Sequence, residues 1–226
     1  MKIEEKRHGE TARQYAYRTL RENIISLDLE PGAPFNDVEM SQMIGISRTP
    51  VREAVIQLSE ESRIIEIFPQ RGMRIALIDV DLVEARFLRL VLEKAAVELV
   101  CGQADEEDLR WLDENIRLQE FYLEGGSSQK LLELDNEMHR KLFSICRKEL
   151  TYEMCQRLAI HYDRIRSLSV AAVKDHKIIE DHKKLLEAIR SRDKKLAAET
   201  MDLHLNRWML NEQMFRDQYP AYFKAI

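Results

Sequence analysis

The chain of 226 residues is poor in residues that break regular structure, with only seven glycines and five prolines. Long helices with few turns are therefore expected, and collagen-like, low-complexity and disordered chains are excluded. No apolar run approaches the roughly 20 residues needed to cross a bilayer. The three cysteines, Cys101, Cys146 and Cys155, are an odd set without paired spacing, which favours a reducing compartment over a disulfide scaffold.

The charge balance gives no global sign of a nucleic-acid-binding protein. The net charge is −5, and residues 1–78 carry 11 Lys and Arg against 12 Asp and Glu. Any contact with DNA must then come from a local basic cluster. Residues Met1–Glu10 are charged and lack the apolar stretch of a signal peptide, so a cytoplasmic protein with no membrane association is expected.

The first 78 residues have the element order of a winged helix-turn-helix domain. Helices are predicted over 11–28, 37–44 and 48–61, and β-like runs over 64–68 and 73–77. Glu30–Pro34, with two prolines and a glycine, ends the first helix, and Ser47 is a good N-cap for the third. Pro69–Gly72 forms a tight turn, so the two strands are expected to pair as a hairpin.

The third predicted helix carries the candidate DNA-reading side chains. Arg48 and Arg52 lie four residues apart on one face, and Thr49 can contact a phosphate or a thymine methyl group. Arg71 and Gly72 lie at the hairpin tip, where a wing would reach the minor groove or the DNA backbone. Two arginines on a helix are usually ordinary solvated residues, but their place in a complete helix-turn-helix and wing pattern favours DNA contact.

From residue 79 to the end, apolar residues recur at helical spacing. Six helices are predicted, near 79–101, 105–124, 127–147, 149–169, 172–190 and 193–216. The expected fold class is therefore mostly α, with a winged helix-turn-helix over 1–78 followed by an all-α six-helix bundle over 79–226.

Four polar residues lie within the apolar faces of this bundle, where hydrophobic side chains are expected. Asp135 and His139 are one turn apart on one predicted helix, and His182 and His204 lie on two others. One carboxylate and three imidazoles suit a divalent ion such as Zn, Ni, Mn or Fe. A single inward histidine is more often a hydrogen-bonded core residue, but four ligand-type residues in one bundle favour metal binding.

Two further polar residues face inward in the bundle. Arg89 lies on an apolar helix face, and a buried guanidinium needs an anion. Glu93, four residues later, is its plain structural partner, whereas the functional alternative is a clamp for the carboxylate of a bound small acid. His161 also faces inward and is interpreted as a group near the metal or as a wall of an effector pocket.

The N-terminal motifs resemble the signature of the GntR family of bacterial transcription regulators. The resemblance spans residues 11–77 and is carried by Leu29–Gly32, Ile44–Ala54 and Pro69–Gly72. It implies that the three residues of the recognition helix named above contact operator DNA, with help from the two at the wing tip. One position departs from the family, because Arg63 stands where glycine usually follows the recognition helix. A non-glycine residue in a left-handed C-cap costs on the order of 1 kcal/mol.

The bundle resembles the ligand-binding domain, often called FCD, of the FadR branch of this family. The resemblance covers residues 79–216 and rests on Arg89–Glu93 with Ala96, on Asp135 with His139, and on His182 and His204. It implies that the aspartate and the three histidines hold a divalent metal, and that a small carboxylate effector binds beside it in a cavity lined by Arg89. It also implies a homodimer and, with six helices, the shorter VanR-like form.

The sequence thus predicts a metabolite-responsive transcription regulator, in the first place a repressor, and not an enzyme. Operator DNA, a small carboxylate and a second copy of the chain are its expected partners. One alternative is a DNA-binding regulator in which the metal is purely structural. The other is a metal-dependent hydrolase or oxygenase, which would have no need of the Ser47–Arg52 motif or a wing.

Overall fold

The computed structural model describes residues 1–79, 84–172, 176–207 and 212–224. Residues 80–83, 173–175 and 208–211, which the sequence analysis assigned to helices or their joints, lie outside the described residues. The chain divides into two compact units, Met1–Leu82 with Arg216–Ile226, and Val83–Phe215. Among the described residues, no helix has both the length and the apolar character that a membrane span requires.

The first unit is a winged helix-turn-helix, as predicted. Its elements are α1 (Ala12–Ile25), β1 (Pro34–Phe35), α2 (Asp37–Ile44), α3 (Arg48–Ser62), β2 (Ile65–Phe68) and β3 (Gly72–Ile75). The side chains of Thr11 and Gln14 form a capping box that starts α1, and Asn36 caps α2. Fully buried apolar residues on α1 and α3, including Leu20, Val51 and Leu58, form the core that fixes these helices against each other.

The sheet has one strand more than the predicted hairpin. Its strands are antiparallel in the order β1-β3-β2, with Ile65 opposite Ile75 and Pro34 opposite Arg74. β1 has only two residues and begins at a proline, so no alternating pattern could mark it in the sequence. Its position at the edge of the sheet suits Pro34, which has no N–H group to donate to a neighbouring strand.

Arg63 ends α3 in the left-handed conformation. The sequence analysis noted that related proteins usually have glycine at this position. The φ and ψ of Arg63 are 54° and 24°, and its backbone N–H donates to the carbonyl of Ser59 at 3.2 Å. The helix therefore ends in the same way without glycine. The Arg63 side chain is exposed, so the strain is not offset by burial.

From residue 84 to residue 218 the described secondary structure is α-helical, with short connections between the helices. The helices are α4 (Glu84–Gln103), α5 (Glu106–Glu124), α6 (Ser128–Ile145), α7 (Glu149–Leu158), α8 (Ile160–Ala172), α9 (His176–Arg190), α10 (Lys194–Asn206) and α11 (Glu212–Gln218). The all-α character is confirmed, but the helix predicted over 149–169 is divided at Ala159 into α7 and α8. Residues 159–165 are all buried, including the polar His161, Asp163 and Arg164, and no glycine or proline marks the break in the sequence.

The core of the second unit is formed by apolar side chains of α4, α5, α6, α9 and α10. Val97, Leu112, Met138, Leu185 and Met201 are among its most buried members. Because α6, α9 and α10 all direct a face into this core, polar residues on those faces are held inside the bundle.

The last described residues pair with the end of the first unit. The backbone N–H of Ile78 donates to the Tyr222 carbonyl at 2.8 Å, and the N–H of Lys224 donates to the Ile78 carbonyl at 3.0 Å. The Phe223 side chain is buried. The sequence analysis placed residues 79–226 in the helical domain, whereas Arg216–Ile226 group with the first unit here.

We expect Arg63→Gly to raise the free energy of unfolding of the first unit by about 0.5–1 kcal/mol, because glycine adopts the left-handed conformation without strain. Native-state hydrogen exchange of the buried α3 amides measures the change. Arg63→Ala is the matched control, since it removes the same exposed side chain but keeps a Cβ. Equal stabilisation by both variants would show that backbone strain is not the cause.

Candidate metal centre and nucleic-acid interface

The predicted DNA-reading residues are all exposed on the first unit, and three of them line one groove. Arg48, Thr49 and Arg52 are exposed on the first turns of α3, and Arg71 and Gly72 are exposed at the turn between β2 and β3. A groove of about 330 Å³ between helix and turn is lined by Arg48, Arg52 and Gly72, among others. The groove combines these two arginines with mostly apolar side chains, such as Ile67 and Phe68, and the acidic Asp37.

Asp37, which the sequence analysis did not single out, orients Arg48. It is the first residue of α2 and is only 4% exposed, and its Oδ2 accepts a hydrogen bond from Arg48 Nε at 3.0 Å. This contact uses the Nε edge of the guanidinium and leaves the two terminal nitrogens for a base edge or a phosphate. The Ser47 side chain makes no capping hydrogen bond, although Ser47 is the N-cap of α3 as predicted.

The four predicted metal ligands meet inside the second unit. Asp135 and His139 project from α6, His182 from α9 and His204 from α10. One ligand atom from each lies within 4.8 Å of those of the other three. The Nε2 atom of His204 is 3.1 Å from that of His139 and 3.4 Å from that of His182. Asp135 Oδ1 lies 3.4 Å from His182 Nε2, so the cluster is compact.

Each imidazole of this cluster turns its other nitrogen towards a different outer residue. His182 Nδ1 lies 2.8 Å from the amide oxygen of Gln119. His139 Nδ1 contacts the carboxylate of Glu93, and His204 Nδ1 is 4.0 Å from Asp181. The three rings therefore present Nε2 to the centre, an orientation typical of metal-binding histidines, and at 4.0 Å the Asp181 contact of His204 is too long for a hydrogen bond.

Burial disfavours the charged form of two of the three cluster histidines. Burial lowers the pKa of His182 and of His204 well below the ordinary value, and the neighbouring histidine rings lower both further. A neutral imidazole has the free lone pair that a metal ion requires. The site therefore brings three imidazole nitrogens and one carboxylate together, a donor set of the kind that divalent cations take.

Arginines compensate the buried carboxylates around the cluster. Arg166 donates to Asp135, to Asp163 at 2.9 Å and to Asn136 at 2.9 Å. Arg207 donates to Asp181 through two nitrogens. Each of these arginines therefore contacts a carboxylate beside the histidine cluster, which offsets the cost of burying that charge.

A cavity of about 50 Å³ opens beside the cluster. Asp135 and His204 form part of its wall, together with Tyr162, Arg166 and Arg207. The remaining lining residues are Leu131, Leu132, Ser169 and Ile178. The cavity is smaller than most ligand pockets, and it places two guanidinium groups next to two of the candidate metal ligands.

Arg89 and His161, the two predicted effector contacts, are buried but are not among the described residues that line the cavity. Arg89 Nε donates to Glu93, and its guanidinium carbon lies 5.1 Å from the Tyr162 ring centre. Burial raises the pKa of Glu93, but Arg89 and His139 outweigh it, so that the pKa is lowered to about 2. The structure thus gives Arg89 its structural partner, and the arginines at the cavity are Arg166 and Arg207.

Two family models match the chain. The model described as "FCD domain" matches residues 84–207, and the model described as "Bacterial regulatory proteins, gntR family" matches residues 12–75. The chain belongs to the GntR family and carries an FCD domain. This GntR regulator therefore binds DNA through its first unit and controls transcription, and the proteins it resembles are regulators and not enzymes.

Several relatives of this GntR regulator cover most of its length. The HTH-type transcriptional repressor RspR of Escherichia coli K12 is 28% identical over 212 residues, which cover 93% of this chain and 92% of RspR. The solved structure of E. coli McbR/YncC superposes with a TM-score of 0.78 at 20% identity, over 92% of this chain and 99% of that one. A GntR regulator from Rhodococcus sp. RHA1 gives 0.70 at 19% identity, over 86% and 94%. Both structures share the fold.

The arginines at the cavity could not be recognised from helical periodicity. Arg166 lies three residues after Asp163 on α8, both of them inside the bundle, and the apolar pattern of that segment gives no sign of it. Arg207 follows the last residue of α10 and reaches Asp181 on α9. The one local signal for Arg166 is Asp163, an acidic residue three positions earlier on the same helix, since residues at this spacing can form an ion pair.

The metal-free protein should lose stability as the pH falls below about 6.5. His182 and His204 have pKa values below that of an unfolded histidine, so unfolding takes up protons in this range. Each histidine can contribute a slope of up to about 1.4 kcal/mol per pH unit. Urea unfolding of the metal-stripped chain between pH 7.5 and 5.5 measures this slope.

His204→Gln should reduce that slope, whereas His176→Gln should leave it unchanged because His176 is exposed. Glu93, with a pKa of about 2, does not titrate in this range. A flat stability profile for the metal-stripped wild-type chain would contradict the buried, neutral state of the two histidines.

Proposed function

We propose that this GntR regulator is a homodimeric repressor whose FCD domain binds a divalent metal and a small carboxylate effector. Asp135, His139, His182 and His204 hold the metal, and the effector enters the cavity beside them. The observation that carries the proposal is the convergence of one carboxylate and three imidazole Nε2 atoms next to a cavity with two arginines. RspR, which is similar over 93% of the chain, is a repressor.

The chemistry of the donor set supports metal binding. FCD domains are known to bind metals, and three nitrogen donors with one carboxylate suit Zn, Ni, Mn or Fe. A divalent ion bound there would supply positive charge and coordination positions for an oxygen ligand. His139 and His182 are fully buried, whereas Asp135 and His204 border the cavity through which an ion or an effector would arrive.

The cavity supports an anionic effector. Arg166 and Arg207 line it, and guanidinium groups pair well with carboxylates. Both arginines already contact acidic residues, Asp135 and Asp181, so an entering anion would compete with those carboxylates. With a volume of about 50 Å³, the cavity fits a small acid only if these side chains rearrange.

This competition gives the effector a way to favour one arrangement of the domain. Arg166 on α8 bonds to Asp135 on α6, and Arg207 bonds to Asp181 on α9. A ligand that takes over either arginine removes a contact between secondary-structure elements, and it therefore binds the two arrangements with different affinity. In the proposed mechanism, the arrangement that binds effector has the lower affinity for operator DNA.

A second copy of the chain is supported by exposed apolar residues on α4 and α7. Phe87 and Leu150 are 67% and 69% exposed, and Val91 and Met154 follow them by one helical turn. α4 and α7 pack against each other. Exposed apolar surface of this kind is typical of protein interfaces, and a dimer would place two recognition helices on two half-sites.

We expect chelator treatment, or His139→Ala, to abolish the effector response while the helical fold is kept. The test loads stripped protein with Zn²⁺, titrates a panel of small mono- and dicarboxylic acids by calorimetry, and repeats the titration without metal. Circular dichroism checks the fold, and His176→Gln is the control. Carboxylate affinity that does not depend on metal would refute the proposed effector site, and metal binding without any carboxylate binding would leave only a structural metal.

We expect Arg52→Ala to weaken binding to an operator selected from a random DNA library by about 1–3 kcal/mol. The salt dependence distinguishes its role, because loss of a phosphate contact lowers the slope by about 1, whereas loss of a base contact relaxes sequence preference. Arg63→Ala, beyond the end of α3, is the control. If Arg52→Ala binds the operator as tightly as wild type, α3 does not read DNA through this arginine.

A further inference from the structure

We propose that Glu93, held in place by Arg89, is a positioning residue that fixes His139 as a metal ligand through Nε2. The proposal rests on the metal site proposed above and adds a residue that donates no ligand atom to it. Glu93 lies on α4, which contributes none of the four ligands. The geometry therefore ties a fourth helix to the metal site.

The position of Glu93 is defined by two contacts. One carboxylate oxygen accepts a hydrogen bond from Arg89 Nε, one helical turn earlier on α4, and the other contacts His139 Nδ1. Both Arg89 and Glu93 are 2% exposed, and His139 is fully buried. A buried carboxylate without a partner is strongly unfavourable, so Arg89 allows Glu93 to remain charged at this position.

A carboxylate at Nδ1 determines which nitrogen of the ring carries the proton. A negative carboxylate at Nδ1 favours the tautomer that carries its proton on Nδ1, and this tautomer leaves the lone pair on Nε2, which faces His204 Nε2 at 3.1 Å. Glu93 also makes the ring a stronger electron donor, because a carboxylate partner raises the basicity of a ligating histidine. Both effects favour a cation at the centre of the cluster.

The three histidines of the cluster differ in the group that lies next to Nδ1. His182 has the neutral amide oxygen of Gln119 at Nδ1, and His204 has Asp181 at 4.0 Å. Among the described residues, His139 is the cluster histidine whose Nδ1 is in direct contact with a carboxylate. We therefore expect the loss of Glu93 to have a larger effect on metal affinity than the loss of Gln119.

Zn²⁺ binding to the full-length, metal-stripped protein tests the proposal by competition with a fluorescent chelator. Glu93→Gln should weaken Zn²⁺ binding by about 10- to 100-fold, the range found for outer partners of metal ligands. Glu98→Gln is the matched control, because Glu98 is an exposed residue on the same helix and should bind Zn²⁺ like wild type. Gln119→Ala should give a smaller loss than Glu93→Gln.

Nitrogen-15 NMR of the labelled histidines gives a second measurement that a purely structural role would not change. In the metal-free wild-type protein His139 should carry its proton on Nδ1, whereas Glu93→Gln should shift the population towards the Nε2-protonated form. If Glu93→Gln does not fold, Glu93→Asp decides the question, because it keeps the charge for Arg89 but withdraws the carboxylate from His139. It too should weaken Zn²⁺ binding.

The outcomes separate this inference from the metal site on which it rests. If the wild-type protein does not bind Zn²⁺, the proposed metal site itself fails. If the wild-type protein binds Zn²⁺ and the folded Glu93 variant binds it equally well with an unchanged His139 tautomer, the metal site stands and the positioning role of Glu93 is overturned.

Discussion

The organisation of the helical domain depends on the cost of burying charge. Glu93, Asp135, Asp163 and Asp181 are all less than 10% exposed, and each lies against an arginine or a histidine. An isolated charge of this kind would destabilise the core by several kcal/mol, so the acids and bases fix one another's positions. The cluster of Asp135, His139, His182 and His204 is therefore held by surrounding ion pairs and not by apolar packing alone. A change at one member of these ion pairs affects its neighbours.

In the proposed function, these ion pairs would link metal binding and effector binding. The Asp135 carboxylate contacts Arg166 and also lies close to His139 and His182. A ligand anion that draws Arg166 away changes the charge around Asp135, and a cation at the cluster changes the competition for Arg166. Because the same side chain would take part in both proposed equilibria, their binding free energies would be coupled, and by reciprocity each ligand would alter the affinity for the other.

The sequence predicted the parts of this site that depend on local spacing. Asp135 and His139 are one turn apart, and His182 and His204 interrupt otherwise apolar faces, so periodicity identified the set that the structure brings together. Arg166 and Arg207 were missed because long side chains reach the cavity from positions that the apolar pattern does not distinguish. The two-residue strand β1 and the pairing of Ile78 with Phe223 are set by contacts far apart in the chain, which no local pattern carries.

The two units use the same physical device for different ligands. In the first unit the buried Asp37 binds one nitrogen of Arg48 and leaves the other nitrogens of its guanidinium directed to solvent, where DNA would lie. In the second unit the buried Glu93 contacts one nitrogen of His139 and leaves the other directed to the ligand cluster. In both cases a buried carboxylate on a helix restricts a nitrogen-bearing side chain to one orientation. This restriction would lower the entropic cost of ordering that side chain when the proposed ligand binds.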